Sequence, residues 1–289
     1  MVSLAHRLFQ LAGAVVLVLT LVLTIGRSGA HAAEERRVAL VVGVGAYQHL
    51  PRLDNTVRDA QLIADKLKAT GFDVAIETEP SKNRLTAAVR DFARRVEAAG
   101  PDAVAVFYYA GHGVQDDKKT NFLIGADADL RSQVDLPVDA LSLDTAMETL
   151  EAARPRLTFI VLDACRNSPL PQSAQRSANR GLAREDGRRA LLMVFSTAPG
   201  DTAEDGPPGG HSPFASALAR QLDVPGQEST QMFRAVMRAV SDESGDKQHV
   251  FMSNPLAQDF FFRPDAGAPP PPPPITVPQD STPVRTEPT

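Results

Sequence analysis

Four continuous apolar runs recur along this chain with helix-length segments between them: RVALVVGV (37–44), DAVAVFYYA (102–110), RLTFIVLDA (156–164) and RALLMVFST (189–197). A strand covered on both faces reads as such an unbroken run, whereas a strand with one wet face alternates. FDVAIE adds a shorter strand. The intervening segments repeat at helical spacing. In TVRDAQLIADKLKATG, Val57, Ala60, Ala64 and Leu67 line one face and Gly71 marks the stop. Residues 81–99 and 143–153 read as further helices, as do 212–221 and 230–244, with HVFMSN and DFFF as candidate edge strands. Strands separated by helices imply an α/β fold. We expect a three-layer α/β/α sandwich around a mainly parallel, about six-stranded sheet.

At 289 residues and 43% hydrophobic, the chain is long enough for one sizeable core with appendages. Residues 1–33 read as an export signal: His6 and Arg7 precede an apolar run from Leu8 to Ile25, and Ala30-His31-Ala32 supplies a small-residue cleavage pattern. The run is close to the length that spans a bilayer, so an uncleaved membrane anchor is the alternative. Residues 34–265 then form the folded domain, in a periplasmic or secreted protein. Residues 266–289, with PPPPPP from Pro269 to Pro274, read as an extended tail without a core. Loss of the leader removes two arginines and moves the formal charge from −5 to −7. That balance argues against nucleic acid as a partner and leaves a membrane only through an uncleaved leader.

The chemistry concentrates at two strand ends. In open parallel sheets, ligands bind beyond the carboxyl ends of the strands. YYAGHG (108–113) places His112 between two glycines after one apolar run, and VLDACRN (161–167) places the only cysteine, Cys165, after another. One helix separates them, so their strands are expected to be neighbours. An imidazole beside a thiol stabilises the thiolate and returns a proton to a leaving amine. Gly111 and Gly113 leave room for a substrate backbone, and the Gly113 and Cys165 amides are candidates for binding an oxyanion.

Blander readings stand beside this one. A lone cysteine ending an apolar strand is commonly a buried small hydrophobe. A histidine in a Gly-His-Gly turn serves equally as a turn residue, or as a metal ligand with Asp127, Asp129 or Asp163. GVGAYQ (43–48) begins like a dinucleotide fingerprint but has Gln48 in place of its third glycine, and no G-x-S-x-G surrounds Ser196 or Ser212.

YYAGHG followed by DACRN resembles the His and Cys boxes of caspase-like cysteine peptidases, the group of caspases, metacaspases and bacterial orthocaspases. A His-to-Cys separation of about 50 residues is a known property of the caspase signature, and here it is 53. The resemblance runs from about residue 37 to 262: ALVVGVGAYQHLPRLDNTVRDAQLIADKLKATGFDV, RGLARED, FSTAPGDTAEDG and HSPFASAL are all similar to segments of bacterial members. It implies a catalytic pair, His112 and Cys165. One departure is informative: where caspases have Gln two residues before the cysteine, this chain has Asp163, which repels an acidic side chain and attracts a cation. In metacaspases the corresponding Asp, with another from the first helix, binds Arg or Lys. VRDA resembles the place of that second carboxylate, which makes Asp59 the candidate, with Asp201 or Asp205 as additions. Two carboxylates around one guanidinium give charge-assisted pairing. The plain alternative for Asp59 is a first-turn acid complementing a helix dipole.

The segment NSPLPQSAQRSANRGLAREDGRR carries Arg176, Arg180, Arg184, Arg188 and Arg189, a stretch that either a basic-specific peptidase cuts in itself or that remains a solvated loop. The expectation is an exported cysteine endopeptidase acting on proteins or peptides after Arg or Lys. No cofactor is required by the dyad. Calcium activation follows only from analogy with some metacaspases, and no calcium loop is recognisable. The alternative is a catalytically silent peptide-binding module of the same fold.

Overall fold

The computed structural model describes residues 35–165, 190–198, 203–253, 256 and 258–265. The leader, the arginine-rich segment and the proline-rich tail lie outside these residues. Among the described residues, no helix is long and apolar enough to cross a membrane.

The apolar runs are the strands β1 (Arg37–Gly43), β3 (Val104–Gln115), β6 (Leu157–Cys165) and β7 (Leu191–Phe195), joined by β2 (Asp73–Thr78) and by β8 (Phe251–Ser253). Their order is β2-β1-β3-β6-β7-β8, parallel throughout except for β8. These are the six strands expected. Two short strands, β4 (Asn121–Ile124) and β5 (Ala140–Ser142), extend an antiparallel ribbon from the end of β3 and bring the sheet to eight among the described residues.

Alternation along the strands divides the core in two. Leu40, Val42, Phe107, Tyr109, Ile160 and Leu162 face one way and pack with α2 (Lys82–Ala99) and α4 (Leu143–Ala152). Val41, Val106, Tyr108, Phe159 and Val161 face the other and pack with α1 (Thr56–Ala69), α5 (Pro213–Leu222) and α6 (Ser229–Ser244). A short helix, α3 (Leu136–Asp139), precedes β5. Helices thus cover both sheet faces, the three-layer arrangement that continuous apolar strands require.

The helix ends follow local chemistry. Gly71 sits beyond α1 at φ +86°, a left-handed stop that glycine adopts freely. Ser81 caps α2 by accepting the Arg84 N–H, and Ser212, followed by Pro213, caps α5 by accepting the Ala215 N–H at 2.9 Å.

Two expectations need correction. The Gly-His-Gly segment is not a turn beyond its strand: β3 runs through it to Gln115, pairing with β1 and β6 as far as Ala110 and Cys165 respectively, then with β4 from Gly113. The space beside Gly111 is taken by protein, since a Cβ there would lie 2.6 Å from Tyr109 Oη and 2.7 Å from Tyr47 Oη. DFFF is not an edge strand either. It contributes one bridge, Phe261 to Glu228, because Phe260 and Phe262 turn inward against Phe159.

Candidate active site

The strand order reverses direction between β1 and β3: the crossover from β1 leads to β2 on one side, and the next crossover leads to β3 on the other. At such a switch point the connections diverge and leave a crevice beyond the carboxyl ends of the strands. His112 and the loop that follows β1 meet there.

His112 is 4% exposed. Its N–H donates to Tyr47 Oη at 2.7 Å, and the Tyr47 ring packs against the imidazole with centroids 4.5 Å apart. Its Nε2 lies 2.8 Å from the Pro51 carbonyl oxygen. A carbonyl only accepts, so Nε2 carries the proton and the neutral ring presents Nδ1 as its basic atom. Nδ1 is buried and has no hydrogen-bond partner among the described residues. Burial pushes the imidazole below its usual value, against the opposing effects of the Pro51 carbonyl and the Asp205 charge, so the ring is neutral at pH 7. Tyr109 Oη, 2.9 Å from the carbonyls of both His112 and Ile124, accepts the Ile124 N–H and ties the strand at this point to β4.

Cys165 ends β6, and its register partner on β3 is His112. Neighbouring strands lie about 4.8 Å apart, so the two backbones are adjacent at the sheet's edge. Gly113, next along β3, is paired in register with Leu123.

Asp163, two residues before Cys165, and Asp59, in the first turn of α1, come together on the α1/α5 side. Ser212 joins them: its N–H lies 3.2–3.3 Å from the two oxygens of Asp59, and its O–H donates to Asp163 Oδ2 at 2.7 Å. The same oxygen caps α5, so one serine fixes the helix start and both carboxylates. Tyr108 donates to Asp163 at 3.3 Å, and His211 Nδ1 meets Asp59 Oδ1 at 2.7 Å. Asp59 and Asp163 are both buried, at 1% and 7% exposure. Each carboxyl is pushed up to about 7, by desolvation first. At Asp163 the Asp59 charge adds to the rise. At Asp59 the Ser212 N–H opposes it and the Asp205 charge adds to it. Burial disfavours ionisation of both carboxyls, and a cation placed beside them would favour it.

Asp205 lies farther out. Its carboxylate accepts the Asp54 N–H at 2.8 Å, and its field reaches both Asp59 and His112. Asp201 lies outside the described residues. Asp127 and Asp129 are used elsewhere: Asp127 accepts the Lys82 N–H at the start of α2, and Asp129 pairs with Arg131. Among the described residues, no three His, Cys, Asp or Glu side chains are grouped to hold a metal ion.

The sequence-derived candidates His112 and Cys165 are register partners, and Asp163 and Asp59 share Ser212; the contacts of Tyr47, Pro51, Ser212 and His211 were not anticipated. The Ser-Pro pair at 212–213 carried a readable helix-start signal; its contact with both carboxylates did not. The family model described as the caspase domain, Peptidase_C14, matches residues 36–261. No curated protein matches the chain.

Proposed function

The chain belongs to the caspase-domain family of cysteine peptidases, and from that premise we propose that it is an endopeptidase that cleaves after Arg or Lys through an acyl-enzyme. The observation that carries the reading is the state of His112: a buried neutral imidazole, held at Nε2 by the Pro51 carbonyl, with Nδ1 unpartnered among the described residues, on the strand next to Cys165.

In this mechanism His112 Nδ1 takes the thiol proton as the Cys165 sulfur adds to the scissile carbonyl. The Gly113 and Cys165 N–H groups receive the oxyanion. As the tetrahedral adduct collapses, the imidazolium gives its proton to the departing amine and leaves a thioester. Water then adds to the thioester with Nδ1 as base, releasing the acid product and restoring the thiol. The Pro51 carbonyl accepts the Nε2–H throughout and stabilises the imidazolium.

Asp163 and Asp59 select the basic side chain, with Asp205 adding to the negative field and Asp201 a further candidate from the sequence. The cation ionises both buried acids, so their raised pKa values fall when substrate binds. The reading includes export through residues 1–33, protein or peptide substrates carrying basic residues, and calcium as a condition to vary in assays.

Covalent labelling tests it. A peptidyl acyloxymethyl ketone ending in Arg should modify Cys165, mapped by mass spectrometry, at least about tenfold faster than its Asp counterpart, and His112→Ala should abolish the difference from free-thiol reactivity. Equal labelling by both reagents would remove the pocket from the account. Labelling unaffected by His112→Ala would remove the dyad.

A further inference from the structure

His112 takes its orientation from a loop, residues 44–54, that lies outside every strand and helix. Tyr47, which accepts its main-chain N–H and packs on its ring, and Pro51, whose carbonyl meets Nε2, are both on this loop. What holds the loop is therefore what holds the imidazole.

The start of the loop is fastened by a side chain from beyond β2. Glu79 Oε2 accepts the N–H groups of Gly45 and Ala46, each at 2.9 Å, and Tyr47 is the next residue. The Glu79 N–H in turn donates to the Gly43 carbonyl at 2.8 Å. Glu79 is thus tied to the end of β1 by its main chain and to the beginning of the loop by its carboxylate. Its φ is +52°, in the left-handed region where a residue with a Cβ is strained and glycine is not. A side chain kept at that position against the backbone preference is consistent with its carboxylate being needed. Farther along, the loop is closed by the Gln48 N–H to Ala126, by the Leu53 N–H to Gly45 at 3.1 Å and by the Asp54 N–H to Asp205. Of these contacts, that of Glu79 alone engages both residues that lead directly into Tyr47.

We propose that Glu79 is a positioning residue of the active centre: by accepting the Gly45 and Ala46 N–H groups, it sets the loop that presents Tyr47 Oη and the Pro51 carbonyl to His112, and so keeps Nδ1 free. The kinetic consequence rests on the peptidase reading; the effect on the imidazole does not.

The test compares the full chain with Glu79→Ala and Glu79→Gln. Both variants keep a Cβ and hence the same backbone demand, but only glutamine keeps an oxygen for the two N–H groups. Turnover of an Arg-ending peptide and the His112 ring titration followed by NMR are read side by side, with melting temperature as the check on folding. Glu79→Ala should lower kcat about tenfold or more while KM changes less than about twofold. It should also move the His112 titration downward as the Pro51 contact loosens. Glu79→Gln should stay within about threefold of wild type in kcat and leave the titration in place. A folded Glu79→Ala with wild-type kcat and titration overturns the proposal, as does a Glu79→Gln that falls as far as Glu79→Ala. If Glu79→Ala does not fold, Glu79→Asp, whose shorter arm withdraws the carboxylate, replaces it against Glu79→Gln with the same two outcomes. A wild-type protein without turnover would count against the peptidase reading alone, and the titration would still decide the role of Glu79.

Discussion

The chemistry of single residues divides according to whether a side chain or a main chain does the work. His112, Cys165 and Asp163 were legible as candidates because imidazole, thiol and carboxylate are properties of residue type at strand ends. Pro51 was not, because what it offers His112 is a carbonyl oxygen, which every residue has. His211 was hidden for another reason: its pairing with Asp59 joins positions 152 apart, and nothing local announces it. The carboxyls carry a pH prediction. Asp59 and Asp163 hold protons up to about pH 7, and a bound cation requires their release. KM for Arg-ending peptides should therefore rise as pH falls through about 7, by up to about tenfold per pH unit for each proton released. Initial-rate kinetics across that range, with a peptide of uncharged selecting residue as control, measure it. A flat KM would mean that neither acid meets the substrate.

Elements were read well where apolar periodicity was long and poorly where it was short. β1, β6 and β7 were placed to within a residue or two, while β4, α3 and β5 are at most four residues each and give no period to detect. β3 was cut short because two glycines around a histidine look like a turn. In the fold, Gly111 instead supplies the gap that the hydroxyls of Tyr47 and Tyr109 fill. The DFFF segment shows the opposite error, an apolar alternation read as pairing when it is packing. Phe260 and Phe262 lie 5.2 and 5.0 Å from the Phe159 ring, and Arg37 donates to the carbonyls of Phe261 and Phe262. This ties the last described segment to the first strand. Phe159 is fully buried at the centre of the cluster, so Phe159→Ala should cost about 3–5 kcal/mol in chemical denaturation. A loss below about 1 kcal/mol would mean that the aromatic segment does not anchor the fold.

At the scale of the whole molecule, the sheet was predictable because each buried strand needs helices on both faces, and the switch point between β1 and β3 then places the crevice. The raised carboxyls also have a consequence for stability. In the substrate-free fold, Asp59 and Asp163 keep protons that the unfolded chain loses above about pH 4. Between about pH 4 and 7 the folded state binds more protons than the unfolded one, so stability falls as pH rises through that window. Asp163→Asn removes one of these acids and should raise the melting temperature at pH 8 relative to wild type, by several degrees, while weakening selection for basic substrates. No gain at pH 8 would mean that the pocket is not strained by its own charge. The central claim is most directly tested by the release of a fluorophore from short peptides ending in Arg, Lys or Asp, with and without calcium, by the wild-type chain and by Cys165→Ala. Release after Arg and Lys that vanishes in Cys165→Ala is the predicted result; release after Asp, or release that survives the loss of Cys165, would contradict it.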